Sequence, residues 1–288
     1  MKIAHITDIH FQTAPNAGDL LYLKRLMGST NLYILGRKSK FSAYAQEKSI
    51  EKLLSTKPDL VIITGDITAQ ALDAEFLLAQ EKLHPIISTI PTVLQAGNHD
   101  AYVEKFPPKM RACFGETLVQ DGVDYKEYGD VGVLTIESCQ PSLLSQGYVE
   151  PSYLEKASML LDNATASFVF LCMHYPLLGR RGEKYGPSTR ALRNADMVLE
   201  WLSKQSKIHA YLHGHEHHGY QTYIPTAIGN IPSINPGVSG YKPDNNQQRY
   251  PHFCVYTVEN GKLLDIDRYR FRDDEYQLED KPAFSSKL

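Results

Sequence analysis

At 288 residues the chain is long enough to bury a substantial core, and a single domain spanning 1–288 fits the size of one large α/β unit. With 42% hydrophobic and 22% charged residues it has the composition of an ordinary globular protein, which excludes disordered, collagen-like and coiled-coil chains. A formal net charge of −3 argues against an extended nucleic-acid groove, which needs clustered Lys and Arg, while leaving room for a small basic pocket. Short β-branched runs at Lys2–Thr7, Asp59–Thr64, Thr92–Gln95, Val131–Ile136, Phe168–Cys172 and Ile208–Leu212 predict buried strands. Between them, apolar residues recur at helical spacing: Ile50, Leu53 and Leu54 before the Lys57-Pro58 stop, then Phe76, Ala79 and Leu83, and later Leu192, Ala195, Leu199 and Leu202. This alternation implies crossover connections, largely parallel pairing and helices on both faces of a layered sheet. Asn260-Gly261 suits a tight hairpin between Cys254–Val258 and Lys262–Arg270, and the charged stretch 271–288 reads as a surface tail.

The N-terminus, Met1 to Asp8, has no charged stretch followed by an apolar one, so no signal peptide is expected, and no run has the length of a membrane span. Cys113, Cys139, Cys172 and Cys254 lie far apart with no C-x-x-C pair, which points to reduced thiols and a cytoplasmic setting. The segment 20–35, LLYLKRLMGSTNLYIL, mixes aliphatic and aromatic residues with Lys24 and Arg25. It suits packing on the protein's own core as helix and loop, or peripheral contact with a membrane or a lipid substrate.

Polar, metal-competent residues follow almost every predicted strand, at the carboxyl edge where open α/β sheets place ligands. The first strand runs into Asp8-Ile9-His10, whose i and i+2 side chains share a side in extended chain. The second runs into Gly65-Asp66, where glycine permits a sharp turn and the two carboxylate oxygens can bridge two cations. The third ends in Gly97-Asn98-His99-Asp100, three polar side chains with no packing purpose. Later strands end in Met173-His174-Tyr175 and in Gly214-His215-Glu216-His217. The imidazoles of that second segment can share one site or serve two adjacent ions. Singly, each segment is ordinary turn chemistry; five in succession, each after its own strand, are not.

In this order the segments resemble the calcineurin-like metallophosphoesterase superfamily, whose pattern is D-x-H, G-D, G-N-H-[DE], H and G-H-x-H, over Lys2 to about Arg270. The resemblance implies a four-layer α/β/β/α sandwich with a dinuclear metal centre on the loops at one edge. One ion would be held by Asp8, His10, Asp66 and His217, the other by Asp66, Asn98, His174 and His215. It makes His99 the group that stabilises or protonates the leaving oxygen, with Asp100 orienting its ring and keeping it cationic. Two cations about 3.5–4 Å apart can acidify a shared water and clamp the oxygens of an in-line phosphoryl displacement. Imidazole, carboxylate and amide ligands without thiolate suit Mn²⁺, Fe or Zn²⁺, and manganese is the expected activating ion.

The implied reaction is metal-dependent hydrolysis of a small phosphodiester by a hydroxide that the ions generate. A cyclic-nucleotide phosphodiesterase is the leading type, and a UDP-2,3-diacylglucosamine pyrophosphatase of lipid A synthesis is the alternative, with acyl chains on 20–35. A scaffold with the same fold but no activity is the remote option, since every ligand position is filled. The loop Pro176–Lys184 carries Arg180 and Arg181, nearest to His174 in sequence and suited to clamp a second phosphate or a nucleotide. His5, His84, His209, His213, His218 and His252 fall outside the pattern and read as structural, and Asn235-Pro236-Gly237 reads as a turn beside the site.

Overall fold

The computed structural model describes residues 1–22, 24–26, 37–119, 121–142, 144–246 and 249–279. Strands β1 (Lys2–Ile6), β2 (Leu60–Ile63) and β3 (Thr92–Leu94) pair in parallel. Strand β10 (His252–Glu259) runs antiparallel to β1 and continues into β11 (Lys262–Arg272) and β12 (Glu275–Leu278), giving the order β12-β11-β10-β1-β2-β3. A second sheet is built from β4 (Val123–Tyr128), β5 (Val131–Ile136), β6 (Phe168–Cys172), β7 (Ala210–Leu212), β8 (Tyr220–Thr226) and β9 (Gly229–Asn235), in the order β4-β5-β6-β7-β9-β8. Half of the pairings among the described residues are antiparallel, so the expectation of largely parallel sheets is corrected. Four of the five antiparallel pairings are hairpins, which need no crossover helix and leave no helical period in the sequence, and the fifth sets β10, from the far end of the chain, beside β1.

Period-two alternation assigns the two faces of each strand. Ile3, Leu60 and Ile62 of the first sheet face Val131, Val133, Phe168, Phe170 and Leu212 of the second. The opposite face of the first sheet, with Ala4, Ile6, Val61 and Ile63, is covered by α1 (Ala43–Ser55), α2 (Asp73–Ile87) and α3 (Pro108–Phe114). That of the second, with Leu134, Ile136, Val169 and Leu171, is covered by α4 (Pro151–Asp162) and α5 (Ala195–Ser203). The result is the α/β/β/α sandwich that the resemblance implies.

The helical spacings map well. Helix α1 is capped by Ser42, whose hydroxyl accepts the Ala45 amide, and it buries Ile50 and Leu53 before the chain turns at Lys57. Helix α5 begins only at Ala195, so Leu192 precedes it, and its buried face is Ala195, Val198 and Leu202 rather than Leu199. Asn260 and Gly261, both at positive φ, close the β10–β11 hairpin as a two-residue turn. The proposed tail at 271–288 is corrected as far as it is described. Phe271 and Tyr276 are buried against Phe253, and β12 pairs with β11. An edge strand exposes every second residue, so its charges disguised it as a tail; 280–288 lie outside the described residues.

In segment 20–35, residues 23 and 27–35 lie outside the described residues. Arg25 donates to the carbonyls of Gln70 and Ala71 and pairs with Asp19, tying the described part to the loop after β2. No helix among the described residues is long and apolar enough to cross a membrane.

Candidate metal centre

Five loops at one edge of the sandwich are zipped together by their own backbones. Asp8, His10 and Phe11 donate their amides to the carbonyls of Gly65, Asp66 and Ile67, so the loops after β1 and β2 extend the parallel pairing beyond the strands. The loop after β3 lies against them so closely that a side chain at Gly97 would overlap the Asp66 carboxylate and one at Gly65 would strike the Gly97 backbone. The glycines of Gly-Asp and Gly-Asn-His-Asp are therefore required by close approach of two loops. Gln46 of α1 holds the carbonyls of Ile9 and His10, and Asn235 at the end of β9 holds those of Gly214 and Glu216.

This frame converges all seven residues expected as ligands. Asp8, His10, Asp66 and His217 each direct one ligand atom into a cluster within 4.8 Å, and Asp66, His174 and His215 do the same beside it. Asn98 joins the second group, its Oδ1 lying 2.7 Å from His215 Nδ1 and 3.2 Å from His174 Nε2. Asp66 belongs to both: Oδ1 is 3.5 Å from His174 Nε2, and Oδ2 is 3.7 Å from His10 Nε2. The two imidazoles of Gly-His-x-His divide between the clusters. Asp8 and His10 do not converge by extended alternation, however. Both are at positive φ, and Ile9 between them points into the core.

The hydrogen bonds behind the rings decide which nitrogen faces the cluster. His10 Nδ1 meets the carbonyl of Thr68, His174 Nδ1 that of Thr64, and His215 Nε2 that of Arg190. A carbonyl only accepts, so each of these nitrogens carries the proton, and the opposite nitrogen is turned toward the carboxylates. His217 is held through Nδ1 by the Tyr241 hydroxyl at 2.6 Å. Asp8 Oδ1 is fully buried and accepts no hydrogen bond of good geometry. His215 Nδ1 and Asn98 Oδ1 are two lone-pair carriers at 2.7 Å with no proton to share. Such an arrangement fits two hard or borderline cations. Burial alone would lower His174, but the carboxylates of Asp66 and Asp8 outweigh it and lift its pKa to about 9, so a proton there carries charge that a cation can replace.

Above the clusters opens a cavity of about 350 Å³ with His99, Lys40, Arg190, Tyr241 and Arg249 in its walls. His99 Nδ1 donates to the Ala69 carbonyl, and its ring stacks on Tyr102, over whose ring the Lys24 ammonium lies 4.1 Å from the centre. Asp100 does not orient that ring, which corrects the expected pairing. Its carboxylate accepts the amides of Ile67, Thr68 and Gly97 and the Thr68 hydroxyl, clamping the loops after β2 and β3 together. Burial and the neighbouring Asp66 charge push the Asp100 carboxyl up to about 7 against these donors.

Arg180 and Arg181 are likewise absent from this cavity's walls and line a neighbouring one with Tyr185, Glu216 and Tyr220, of which Glu216 borders both. The turn in which Gly179 donates to Glu183 swings them away, and Arg180 pairs with Glu216 at 3.2 Å. Arg190, ten residues on, enters the cavity and touches the His215 carbonyl. Lys40, Tyr241 and Arg249 carried no sequence signal, because they come from connections remote from the motifs. Of the histidines declined as ligands, His5 is buried between Tyr256 and Thr64, and His213 lies against Ser233.

The calcineurin-like phosphoesterase family model matches residues 1–219, which include all seven candidate ligands. The chain is 24% identical over 220 residues to a probable cyclic nucleotide phosphodiesterase from Ruthia magnifica subsp. Calyptogena magnifica, spanning 75% of this chain and 85% of that protein. It is 22% identical over 222 residues to another from Pseudoalteromonas sp. (strain SM9913), with 77% and 73% covered. Its fold is similar to that of a dimetal phosphatase from Danio rerio, with a TM-score of 0.64 at 12% identity over 96% of this chain and 98% of that one. With the motif-bearing loops and both clusters inside the matched region, the chain belongs to the calcineurin-like phosphoesterase family.

Proposed function

We propose that this hydrolase cleaves a small phosphodiester with the help of two divalent ions, and that a cyclic nucleotide is its substrate. One observation carries the reading: two ligand clusters share Asp66, and the rings around them are turned by backbone carbonyls to present bare nitrogens inward. Asp8, His10, Asp66 and His217 would hold one ion, and Asp66, Asn98, His174 and His215 the other; the thiolate-free set suits manganese, iron or zinc, and manganese is the activating ion we propose. Such ions supply Lewis acidity toward a phosphoryl oxygen and toward water.

The chain's own groups do the rest. His99 has Nδ1 committed to the Ala69 carbonyl, so the proton it delivers to a leaving oxygen is the one on Nε2 of its imidazolium. Tyr102 stacked on one face fixes the ring plane, and Arg190 in the cavity wall offers a guanidinium to a non-bridging oxygen. The cyclic-nucleotide assignment is supported by the printed names of the relatives, and a cytoplasmic setting by four unbridged cysteines.

The test is a manganese-reconstituted panel of cyclic AMP, UDP-2,3-diacylglucosamine and bis-p-nitrophenyl phosphate. Hydrolysis of the aryl diester with cyclic AMP preferred supports the reading. Preference for the lipid-linked pyrophosphate replaces the substrate, and no hydrolysis of any member refutes the activity.

A further inference from the structure

The cavity over the metal clusters does not end there. It shares Lys40, Tyr241 and Arg249 with a second cavity of about 450 Å³, whose far wall holds Lys242, Asn245 and Asn246. The two spaces meet over Tyr241, the residue whose hydroxyl holds His217. The walls of the second are fixed by backbone pairing. Lys242 donates its amide to Lys40, Ser42 donates to Gly240, and Asp244 and Arg249 exchange both of their amide–carbonyl bonds. Among the described residues, neither Lys40, Lys242 nor Arg249 forms an ion pair with a carboxylate. The acid in this wall, Asp244, accepts the Asn246 amide through Oδ1. Three cations against one carboxylate leave a net positive hollow that opens directly onto the reaction site, with amide side chains beside it. Of the lining, Lys40 lies within the stretch that the family model matches, and Tyr241, Lys242 and Arg249 lie beyond it.

From this geometry we infer that the second cavity is an anion subsite, and that among phosphodiesters, cyclic nucleotides included, those bearing a further phosphate group away from the scissile one are preferred over those without it. The substrate part of this inference rests on the phosphodiesterase reading; the anion site itself does not. Two p-nitrophenyl esters distinguish them: thymidine 5′-(p-nitrophenyl phosphate) and the same compound with a 3′-phosphate, which share one leaving group. For the manganese-loaded wild type, kcat/KM should be at least about tenfold higher for the 3′-phosphorylated ester, mainly through KM, and in Lys242→Gln that ratio should fall below about threefold. Calorimetry with thymidine 3′,5′-bisphosphate and thymidine 5′-phosphate should show the same preference and the same loss as a difference in Kd, without any turnover. Equal kcat/KM for the two esters together with equal Kd for the two nucleotides overturns the subsite. A preserved bisphosphate preference in a protein that hydrolyses neither ester nor bis-p-nitrophenyl phosphate keeps the anion site and refutes the phosphodiesterase reading.

Discussion

Replacing Asp66 by Asn separates metal binding from folding, because the two oxygens of Asp66 do different work. Oδ1 accepts the His99 amide at 2.7 Å and faces His174, whereas Oδ2 faces His10. The amide of Asn must keep its oxygen toward the His99 N–H to preserve that buried hydrogen bond, which places its NH₂ where Oδ2 stood. An NH₂ group has no lone pair to offer, so the Asp8–His10–His217 cluster loses a ligand while the Asn98–His174–His215 cluster keeps a neutral one. Metal content after dialysis should fall from two equivalents of manganese to at most one, with the survivor in the second cluster. Turnover of bis-p-nitrophenyl phosphate should fall at least about 10³-fold, roughly 4 kcal/mol of transition-state stabilisation. Far-ultraviolet circular dichroism, checked alongside elemental analysis and the rate assay, should match the wild type. Two equivalents of bound manganese together with turnover within tenfold of wild type would refute the bridging role and the shared-ligand argument with it.

Substituting His99→Gln should leave metal content intact and lower kcat by about 10²- to 10³-fold, read by elemental analysis beside steady-state kinetics. Asn235→Ala strips two hydrogen bonds from the carbonyls of Gly214 and Glu216, so it should cost about 2 kcal/mol in denaturant unfolding and weaken manganese affinity, since the loop it frees carries His215 and His217. His5 and His213 are held neutral by burial, their pKa values lowered from 6.5 to about 3. The unfolded chain therefore binds protons that the folded one does not as pH falls below 6.5, and stability should drop by up to about 1.4 kcal/mol per pH unit for each ring, until pH reaches about 3. Urea midpoints between pH 7 and pH 5 should fall with this sign in the metal-free protein, and the double variant His5→Gln, His213→Gln should make the fall shallower, the remainder coming from His215 and His252, which burial also holds neutral.

The metal centre was legible in the sequence because its residues stand immediately after buried strands, and a strand end fixes where a side chain emerges to within a residue or two. Gly65, Asp66 and Asn98 could thus be placed from local pattern, and the structure brings them together. What was not legible depends on partners distant in sequence. Asp100 sits beside His99 in the chain, which suggests a pair, yet its carboxylate is captured by amides of the loop after β2, more than thirty residues earlier. Arg180 and Arg181 are close to His174 in sequence, but proximity along a loop says nothing about which side of a turn a side chain takes. Tyr241 touches His217 only because Phe41 and Tyr241 pair across two unrelated connections, a contact without a local signature. The edge strand β12 was missed because its four residues, Glu275 to Leu278, bury only Tyr276, and a window that short cannot be told from a tail.

Backbone strain at the centre follows from the same economy of space. Asp8, His10, Asp66 and His215, four of the seven candidate ligands, occupy the left-handed region at φ between 53° and 68°. For a non-glycine residue this costs on the order of 1 kcal/mol each. Glycine at those positions would remove the strain and the ligand together, so the fold must hold them by other means. It does so with interactions that have no other evident use: the four donors on Asp100, the Gln46 amide on Ile9 and His10, the Asn235 amide on Gly214 and Glu216, and the loop-to-loop pairing of Asp8 and His10 with Gly65 and Asp66. Each ties a ligand-bearing loop to a neighbouring helix, strand end or loop, and none of Asp100, Gln46 and Asn235 lines the cavity. A buried set of three carboxylates, Asp8, Asp66 and Asp100, the first two in strained backbone, is an unfavourable construction for a protein that binds nothing. The same construction keeps ligand atoms at fixed separation before a cation arrives, which is the condition for two ions to be bound close together despite their mutual repulsion.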